Sequence, residues 1–281
     1  MSEIKNERPA TIRGVLEVKH KVYYTPHYIR ITFTGDDVCR FAETTPGVNN
    51  KIFIPPAGVN EIHFPDYNKE TGEWTHPPAH LKPTIRTYTH RAIDLRKNEM
   101  TIDFVAHGES GPASAWAIHA KPGDRLGVLM KAKESVLYPE ADWYLLAADA
   151  TGLPVIAAIL ETLPATAMGV AYIEVPGKED EQELKTKAAI QINWIYNSNP
   201  GVNQLLAGAV RTVKMPEQKN TTRFGYVAAE FSSVKDIRQF LRKEQAWDQS
   251  ELYAYAYWKY GASEEGSVKS RREEHQEEKK I

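Results

Sequence analysis

Residues 86–91 (Arg-Thr-Tyr-Thr-His-Arg) carry side chains suited to holding a phosphate-bearing aromatic cofactor. Guanidinium groups bind pyrophosphate, an aromatic ring stacks on a planar heterocycle, and a hydroxyl reaches the edge of that heterocycle. Because side chains alternate along a strand, two faces are predicted: one with Arg86, Tyr88 and His90, the other with Thr87, Thr89 and Arg91. An exposed strand with ordinary charged positions would have the same sequence, so this run alone leaves both interpretations open.

A second pattern suited to anion binding follows at residues 107–114, His-Gly-Glu-Ser-Gly-Pro-Ala-Ser. Glycines let the backbone approach a ligand closely, and free N–H groups at a helix start bind phosphate. A helix is predicted to begin near Pro112, because proline suits the first helical position. A Gly-Pro turn with a serine cap would use the same residues without a ligand. Trp116 and Ile118 are predicted to be core residues.

The composition is that of a folded protein of ordinary polarity. The chain has 281 residues, is 42% hydrophobic and 26% charged, and has a formal net charge of −2. This length is enough for two cores, and the charge argues against general nucleic-acid binding. No apolar run is long enough to span a bilayer, and the first residues lack the apolar segment of a secretory signal. We therefore expect a cytoplasmic protein without membrane insertion.

The single cysteine excludes several kinds of redox site. Cys39 has no partner for an intrachain disulfide, and one thiolate cannot hold an iron–sulfur cluster or a cysteine-based zinc site. Cys39 is expected to be a small buried hydrophobe at a strand end. Redox chemistry would therefore need an organic cofactor or a bound substrate metal, and no protein-bound metal site is predicted.

The elements that would position these residues fall into two groups. In the first half, Ile29, Ile31 and Phe33 alternate with polar residues, which predicts a strand with one buried face. The pattern predicts β-structure at 11–34, 51–54, 86–91, 100–107 and 124–130, with a polar loop at 57–82. Many short strands and one helix favour a closed antiparallel barrel.

From about residue 142 the pattern changes. Residues 143–148 form a nearly continuous apolar run, typical of a strand buried on both faces. Further strands are predicted at 170–175, 190–196 and 224–228, and helices at 153–163, 202–210 and 232–245. This alternation is typical of a parallel sheet with crossover helices. We predict domains at 1–136 and 137–261, followed by a charged tail or helix at 262–281.

Several longer motifs together resemble one protein family. They are Arg86-Thr-Tyr-Thr-x-Arg, Asp103-Phe-Val-x-His-Gly, Gly111-Pro-Ala-Ser-x-Trp, Lys121-Pro-Gly-Asp-Arg-Leu, Asp142-Trp-Tyr-Leu-Leu-Ala-Ala-Asp-Ala-Thr-x-Leu-Pro and Tyr257-Trp-Lys-Tyr-Gly. In this order they are similar to the siderophore-interacting proteins, FAD-containing ferric-siderophore reductases of the ferredoxin-reductase superfamily. The resemblance spans most of the chain. It implies a β + α/β fold, with an N-terminal antiparallel flavin-binding β-barrel followed by a parallel-sheet, nicotinamide-binding-like α/β domain.

The resemblance also implies roles for single residues. Arg86 would hold the FAD pyrophosphate, Tyr88 would pack against the flavin, and Thr89 would lie near its reactive edge. The remaining implied cofactor contacts are Thr87, Arg91, the backbone of Asp103, Phe104 and Val105, the adenosine-side residues His107 and Gly108, the helix start at Gly111, Pro112, Ala113 and Ser114, and Asp149 and Thr151 from the second domain.

The second domain departs from the expected patterns. Many relatives have Asp-Glu-Thr where this chain has Asp149-Ala150-Thr151, so a role for that glutamate does not transfer. Gly-x-Gly-x-x-Gly is absent after the first strand, so NADH or NADPH as electron donor rests on the resemblance alone, and ferredoxin stays open. The acidic residues 179–181 would repel a 2′-phosphate and favour NADH, although a solvated helix start would look the same.

No Ser-His-Asp or paired-carboxylate arrangement stands out, so we predict flavin-mediated electron transfer without a catalytic side chain. Reduction of Fe(III) to Fe(II) loosens a chelate made of hard oxygen ligands. Because ferric siderophores are often anionic, the predicted substrate-binding residues are Lys51, Lys131 and Lys259, each of which is equally explained as a surface lysine.

Three functions remain open at this stage. The first is a ferric-siderophore reductase, the second a general NAD(P)H:flavin or ferredoxin-type reductase, and the third a siderophore-binding protein without turnover. The expected partners are a ferric siderophore and, as a candidate donor, ferredoxin. We expect a monomer that binds no nucleic acid.

Overall fold

A computed structural model of the protein describes residues 10–68, 70–216, 221–262 and 266. The chain divides into two compact units, one formed by Met1–Tyr24 and Ile29–Val136 and the other by Thr25–Tyr28 and Leu137–Ile281. None of the helices in the described part has the length and apolar character needed to cross a membrane. The predicted tail at 262–281 lies outside the described residues, except for Ala262 and Gly266.

The first unit is built mainly from β-strands. Its elements are β1 (Thr11–Thr25), β2 (Tyr28–Thr34), β3 (Asn49–Ile54), β4 (Asp66–Tyr67), β5 (Trp74–Thr75), β6 (Thr84–Thr89), β7 (Ala92–Asp94), β8 (Glu99–Val105), α1 (Pro112–His119) and β9 (Arg125–Lys131). The ends of β1 and β2, at Thr25 and Tyr28, group with the second unit.

Seven of these strands form one barrel-like sheet, in the hydrogen-bonded order β6-β3-β9-β1-β2-β8-β7. The pairs of β1 with β9, of β3 with β6 and β9, and of β7 with β8 are antiparallel. Ile29, Ile31 and Phe33 are fully buried, as their alternation predicts. Thr32 is buried as well, so β2 is more enclosed than a strand with one buried face. The predicted antiparallel β-domain is confirmed.

The second unit alternates strands and helices. Its elements are β10 (Trp143–Ala148), α2 (Leu153–Thr162), β11 (Met168–Val175), β12 (Ala189–Tyr196), α3 (Leu205–Val210), β13 (Arg223–Glu230), α4 (Phe231–Gln239) with a π-helical turn at Phe240–Glu244, and β14 (Leu252–Trp258).

Five parallel strands form the sheet of the second unit, in the order β12-β11-β10-β13-β14. Both faces of this sheet carry buried apolar clusters, which explains why β10 reads as a continuous apolar run. A Cβ at Gly152 would lie 2.0 Å from the carbonyl oxygen of Ala228, so only glycine allows the chain to enter α2 this close to β13. The predicted parallel α/β unit is confirmed.

Several local predictions differ from the structure. The loop predicted at 57–82 contains the short ribbon β4–β5, and β6 ends at Thr89 rather than Arg91. The strands β7 and β14 were not predicted. The expectation for Cys39 was wrong: it is exposed and lies in the 3₁₀ turn Asp36–Phe41. That turn buries Val38 and Phe41, which leaves Cys39 on its outer side.

Candidate functional site

The inner face of β6 carries Arg86 and Tyr88. In the register of β3 with β6, Arg86 lies opposite Ile52 and Tyr88 lies opposite Asn50, and residues directly opposite share a face of the sheet. Ile52 is fully buried and Asn50 is nearly so, which identifies this face as the one that meets the core. Arg86 is partly buried, and its Nη1 donates to the carbonyl of Ile85 at 2.8 Å.

A buried phenylalanine joins the two segments singled out from the sequence. The ring of Phe104, on β8, lies 4.7 Å from the ring of Tyr88 and 5.7 Å from that of Trp116, measured between ring centres. Tyr88 belongs to β6 and Trp116 to α1. Both predicted segments therefore pack on β8. Trp116 and Ile118 contact the core of the first unit, as predicted.

The outer face of the same strands carries two of the three predicted lysines. Lys51 Nζ donates to Thr87 Oγ1 at 2.5 Å across the β3–β6 pair. Lys51 also lies opposite Leu129 of β9, and Lys131 is two residues further along β9, so it shares that face. Lys259 belongs to the second unit, where its Nζ lies 4.8 Å from the ring centre of Phe231.

From Thr89 onward, burial no longer distinguishes the two faces of the chain. Thr89, His90 and Arg91 are all buried, because the chain leaves β6 at Thr89. Arg91 Nε lies 3.7 Å from Asp103 Oδ2, and Arg30 binds the same carboxylate through Nε and Nη2 at 2.7 and 2.8 Å. The charge that was predicted for the cofactor at Arg91 is thus compensated inside the protein by Asp103.

The turn before α1 is tied to the helix by Ser114. Its Oγ accepts from the backbone N–H of His107 at 3.0 Å and donates to the carbonyl of Gly108 at 2.7 Å. A Cβ at Gly111 would lie 2.4 Å from Cε1 of His107, so a side chain there would displace the exposed His107 ring. Gly108 has a φ of +88° and open space where a Cβ would lie.

Because Ser114 bonds to His107 and Gly108, the start of α1 lies beside the preceding turn at residues 107–111. Pro112 is the first residue of the helix, and Ala113 and Ser114 are the second and third. Backbone N–H groups at these positions have no acceptor within the helix. The Ser114 hydroxyl serves the fold, whereas the N–H groups of Ala113 and Ser114 retain the predicted capacity for phosphate.

Two uncharged polar side chains in the first unit are buried without hydrogen-bond partners among the described residues. They are Asn50, with both amide atoms, and His90, with both ring nitrogens. Asn50 is 2% exposed and His90 is 0% exposed. Burial lowers the pKa of His90 to about 4, so its imidazole is neutral at neutral pH. An unsatisfied buried polar group costs about 1–3 kcal/mol, so both sites call for a partner.

These residues fit a flavin dinucleotide. A pyrophosphate needs cations and free N–H groups, which Arg86 and the start of α1 provide. A flavin ring needs an aromatic face and polar groups that the protein leaves unpaired. Tyr88 provides the face, and the buried side chains of Asn50 and His90 provide polar atoms without protein partners.

A cleft of about 650 Å³ also opens in the first unit, between the loop 55–60 and the loop 122–125, beside Trp116. None of the predicted cofactor or lysine positions lines it. Its charged lining residues, Asp124 and Arg125, are exposed, and the Asp124 carboxylate already accepts from the N–H of Lys121 at 2.7 Å. The chemistry described above therefore does not depend on this cleft.

In the second unit, Asp149 is saturated by hydrogen bonds. Its Oδ1 accepts from the N–H and hydroxyl of Thr151 at 2.8 and 2.6 Å and from the N–H of Gly152 at 3.3 Å. Its Oδ2 accepts from Trp258 Nε1 at 2.7 Å and from the N–H of Glu230 at 2.8 Å. Burial raises the pKa of Asp149 despite these bonds. The predicted contacts of Asp149 and Thr151 with flavin remain predictions, because both side chains are engaged within their own unit.

Two further buried carboxylates lie at the same edge of the sheet, where β11 and β13 end. Glu174 Oε2 accepts from Asn197 Nδ2 at 3.0 Å and from the N–H of Leu206 at 3.1 Å. Burial, with added repulsion from Asp149 and Glu230, raises the pKa of Glu174 to about 7. Glu230 caps α4 by accepting from the N–H of Ser233 at 3.3 Å. In doubly wound sheets this edge is where nucleotides bind, and here it is lined with acid.

The acidic residues 179–181 are partly used by the fold. Asp180 is buried, and its carboxylate accepts from Thr25 Oγ1 at 2.7 Å and from the N–H of His27 at 3.0 Å. Glu181 accepts from the hydroxyl of Tyr196. Asp180 is thus a structural residue, and the solvated helix start considered from the sequence does not describe it. The preference for NADH inferred from these charges stays a prediction.

Several of these residues carried no signal in the sequence. Arg30 looked like an ordinary polar position of a strand, and Asn50 looked like part of a turn. The importance of Glu230 and Trp258 depends on contacts with Asp149, which precedes them by 81 and 109 residues. Only strand register and tertiary packing bring these groups together.

Comparisons with known proteins give a consistent result. The model of the family "Siderophore-interacting FAD-binding domain" matches residues 17–132, and that of "Siderophore-interacting protein" matches residues 141–261. The chain is 32% identical over 262 residues to the ferric vibriobactin reductase ViuB of Vibrio cholerae, covering 93% of this chain and 95% of that protein.

Solved structures agree with these matches. A siderophore utilization protein from T. fusca superposes with a TM-score of 0.79 at 31% identity, covering 90% of this chain and 95% of that one. The siderophore-interacting protein SipS from Aeromonas hydrophila gives a TM-score of 0.78 at 29% identity, covering 94% and 98%.

Proposed function

The chain belongs to the siderophore-interacting protein family, and we propose that it is an FAD-dependent reductase that converts Fe(III) in ferric siderophores to Fe(II). The observation that carries this proposal is the pairing of a cofactor-binding surface in the first unit with a full-length relationship to a ferric vibriobactin reductase. Release of iron follows from the reduction itself, because oxygen ligands that are strong for Fe(III) hold Fe(II) more weakly.

Different residues of the first unit are proposed to bind different parts of FAD. We assign the pyrophosphate to Arg86 and to the N–H groups of Ala113 and Ser114, where positive charge and free donors meet an anion. Tyr88 offers its ring to the flavin. Bound FAD accepts a hydride and passes on electrons singly, which is the conversion this reaction needs.

No side chain is assigned to acid, base or nucleophilic catalysis. Electron transfer to a chelated iron requires proximity, and surface cations would help to recruit an anionic chelate. Lys51 and Lys131 share the outer face of β3 and β9 and are proposed for this role. Lys259 is proposed as a third cation, from the second unit. Their effect is confined to short range, since charges are screened over roughly 8 Å at physiological salt.

The electron donor is proposed as NADH, NADPH or ferredoxin. A dinucleotide fingerprint is absent after β10, where the sequence is Asp149-Ala-Thr-Gly, and the buried carboxylates of Asp149, Glu174 and Glu230 make this sheet edge a poor place for phosphates. A nicotinamide donor would therefore have to place its phosphates away from these acids.

Stopped-flow spectroscopy tests the proposal. The flavin would be reduced anaerobically with NADH, NADPH or ferredoxin in separate experiments, and its reoxidation by several ferric chelates would be followed near 450 nm. We expect fast reoxidation by at least one ferric siderophore and slower transfer to free flavin. Preferential transfer to free flavin would support a general flavin reductase instead, and a colourless purified protein would contradict both enzymatic functions.

A further inference from the structure

Asn50 and His90 are exceptions to the way the first unit treats its buried polar groups. The buried Thr44 hydroxyl donates to the Phe41 carbonyl at 2.6 Å, and the buried Asp103 carboxylate binds Arg30. By contrast, four polar atoms of Asn50 and His90 have no hydrogen-bond partner among the described residues. Because buried polar groups are normally satisfied, such a pair indicates a partner from outside the protein chain.

The two side chains flank Tyr88. Asn50 lies directly opposite Tyr88 in the β3–β6 register. The backbone N–H of His90 donates to the Val48 carbonyl at 2.9 Å, so the register continues and His90 lies two residues beyond Tyr88 on the same face. Asn50 and His90 are therefore diagonal neighbours across the strand pair. Tyr88, between them, is only partly buried, so a planar ligand seated on its ring comes within reach of both.

The chemistry of the two side chains defines the edge they would recognise. A carboxamide has donors and an acceptor side by side, which complements an imide, where an N–H lies beside a carbonyl. The pyrimidine side of the isoalloxazine ring is such an imide. A neutral imidazole adds one donor and one acceptor without a charge, and the complete burial of His90 keeps it neutral.

We propose that Asn50 and His90 position the isoalloxazine ring of FAD, with the carboxamide of Asn50 pairing with the imide edge and the imidazole of His90 supplying a second, uncharged hydrogen bond. This inference rests on the proposed function because it takes FAD as the cofactor. Both residues are positioning residues, and neither exchanges protons with the substrate.

The test compares ligand affinities of the apo-protein. Asn50→Leu and His90→Leu would be titrated with FAD, with FMN, which lacks the adenine, and with ADP, which lacks the flavin. Each variant is expected to bind FAD and FMN about tenfold more weakly, equivalent to about 1.4 kcal/mol, and to bind ADP as the wild type does. A loss confined to ADP and FAD would place the pair at the adenine and overturn the proposal.

The stability of the apo-protein supplies an independent measurement. If the two side chains await the flavin, replacing either one removes an unsatisfied polar group, and the urea midpoint of the apo-protein stays the same or rises. If they bond to each other instead, each variant lowers the midpoint and leaves the affinity for FAD unchanged, which overturns the proposal. Ile52→Val, on the same strand and face, is the matched control and should not change flavin affinity.

Further variants distinguish the loss of a hydrogen bond to FAD from misfolding. His90→Gln keeps a donor and an acceptor and should retain most of the affinity for FAD, whereas Asn50→Val should reproduce the loss seen with leucine. Wild-type protein that binds FAD but fails to reduce ferric chelates would refute the proposed function and leave this assignment standing. Normal chelate reduction with unaltered FAD affinity in both leucine variants would refute the assignment alone.

Discussion

Two sets of buried polar side chains, one in each unit, differ in how the protein satisfies them. In the second unit, both oxygens of Asp149 are saturated by hydrogen bonds, one of them from Trp258 at the end of the last strand. In the first unit, Asn50 and His90 are equally buried, but their side-chain atoms have no hydrogen-bond partners among the described residues.

This difference separates structural from ligand-binding polarity. A buried carboxylate that accepts hydrogen bonds from two strand ends and from the turn before a helix holds a sheet edge together. A buried amide or imidazole without protein partners lowers stability until a ligand satisfies it, as we propose for Asn50 and His90. Asp149 was assigned to the cofactor from its motif, and its hydrogen bonds lie within its own unit, whereas Asn50 had no such assignment and has no hydrogen-bond partner among the described residues.

The largest effect is expected from Asp149→Ala. The substitution removes the acceptor for N–H groups of Thr151, Gly152, Glu230 and Trp258, so the second unit should lose about 3–5 kcal/mol of stability. Urea unfolding followed by tryptophan fluorescence measures this loss. Asp142→Ala, which removes an exposed carboxylate bonded to Thr222, should cost far less. A stable variant that has lost FAD would show that Asp149 serves the cofactor after all.

The second prediction concerns the pH dependence of stability, which should have opposite signs for His90 in the first unit and Glu174 in the second. His90 has a pKa of about 4 in the folded protein against 6.5 in the unfolded chain, so the unfolded state binds the extra proton and stability falls as pH drops from 6.5 to 4. Glu174 has a folded pKa of about 7 against 4.5, so its contribution is complete below pH 4.5 and is lost as pH rises to 7.

Single variants should isolate these opposite slopes, each worth about 3 kcal/mol across its range. Relative to wild type, apo His90→Leu should gain stability as pH falls from 6.5 to 4. Glu174→Gln, which still accepts from Asn197 and Leu206, should gain stability as pH rises from 4.5 to 7. Urea midpoints measured at half-unit pH intervals give both difference curves. Difference curves whose slopes have the same sign for both variants would contradict this prediction.

How far the sequence predicts these features depends on the range of the interactions involved. Local patterns were sufficient for β2, β10 and α1, because alternation, an apolar run and a proline each act within a few residues. The strand β14 was missed because tyrosine alternates with alanine over residues 253–257, and this alternation does not separate polar from apolar residues. Register between β3 and β6 decides that Asn50 faces Tyr88, and no local pattern encodes it.

The contacts of single residues were less predictable than the elements for the same reason. Arg91 and Asp149 were both assigned to the cofactor from motifs, yet each is engaged by a distant residue, Asp103 in one case and Trp258 in the other. Cys39 was wrongly placed in the interior because its burial depends on the direction of a 3₁₀ turn. A motif indicates which residues matter, but the partners that these residues contact are known only from the tertiary structure.

Arg86→Ala tests the ligand-binding side of the comparison. Its guanidinium bonds to the carbonyl of the adjacent Ile85, so the fold should survive, while the loss of a charged hydrogen bond to pyrophosphate should weaken FAD binding about 100-fold. The purified variant should be largely flavin-free by its absorbance ratio at 450 and 280 nm. Arg13→Ala, which breaks an exposed pair with Asp66, is the control. Full flavin content in Arg86→Ala would place the pyrophosphate elsewhere.

The smallest effect is expected from the lysines on the outer face, which concern the substrate rather than the cofactor. Lys51→Ala and Lys131→Ala should each raise the apparent KM for an anionic ferric chelate a few-fold, since an exposed charge contributes about 0.2–1 kcal/mol. Flavin content should stay unchanged, because neither side chain lies on the face of Arg86 and Tyr88. The effect should shrink at high salt, whereas Lys97→Ala, at an exposed turn in the same unit, should have none. Unaltered kinetics in the double variant would show that the outer face has no role in recruiting the chelate.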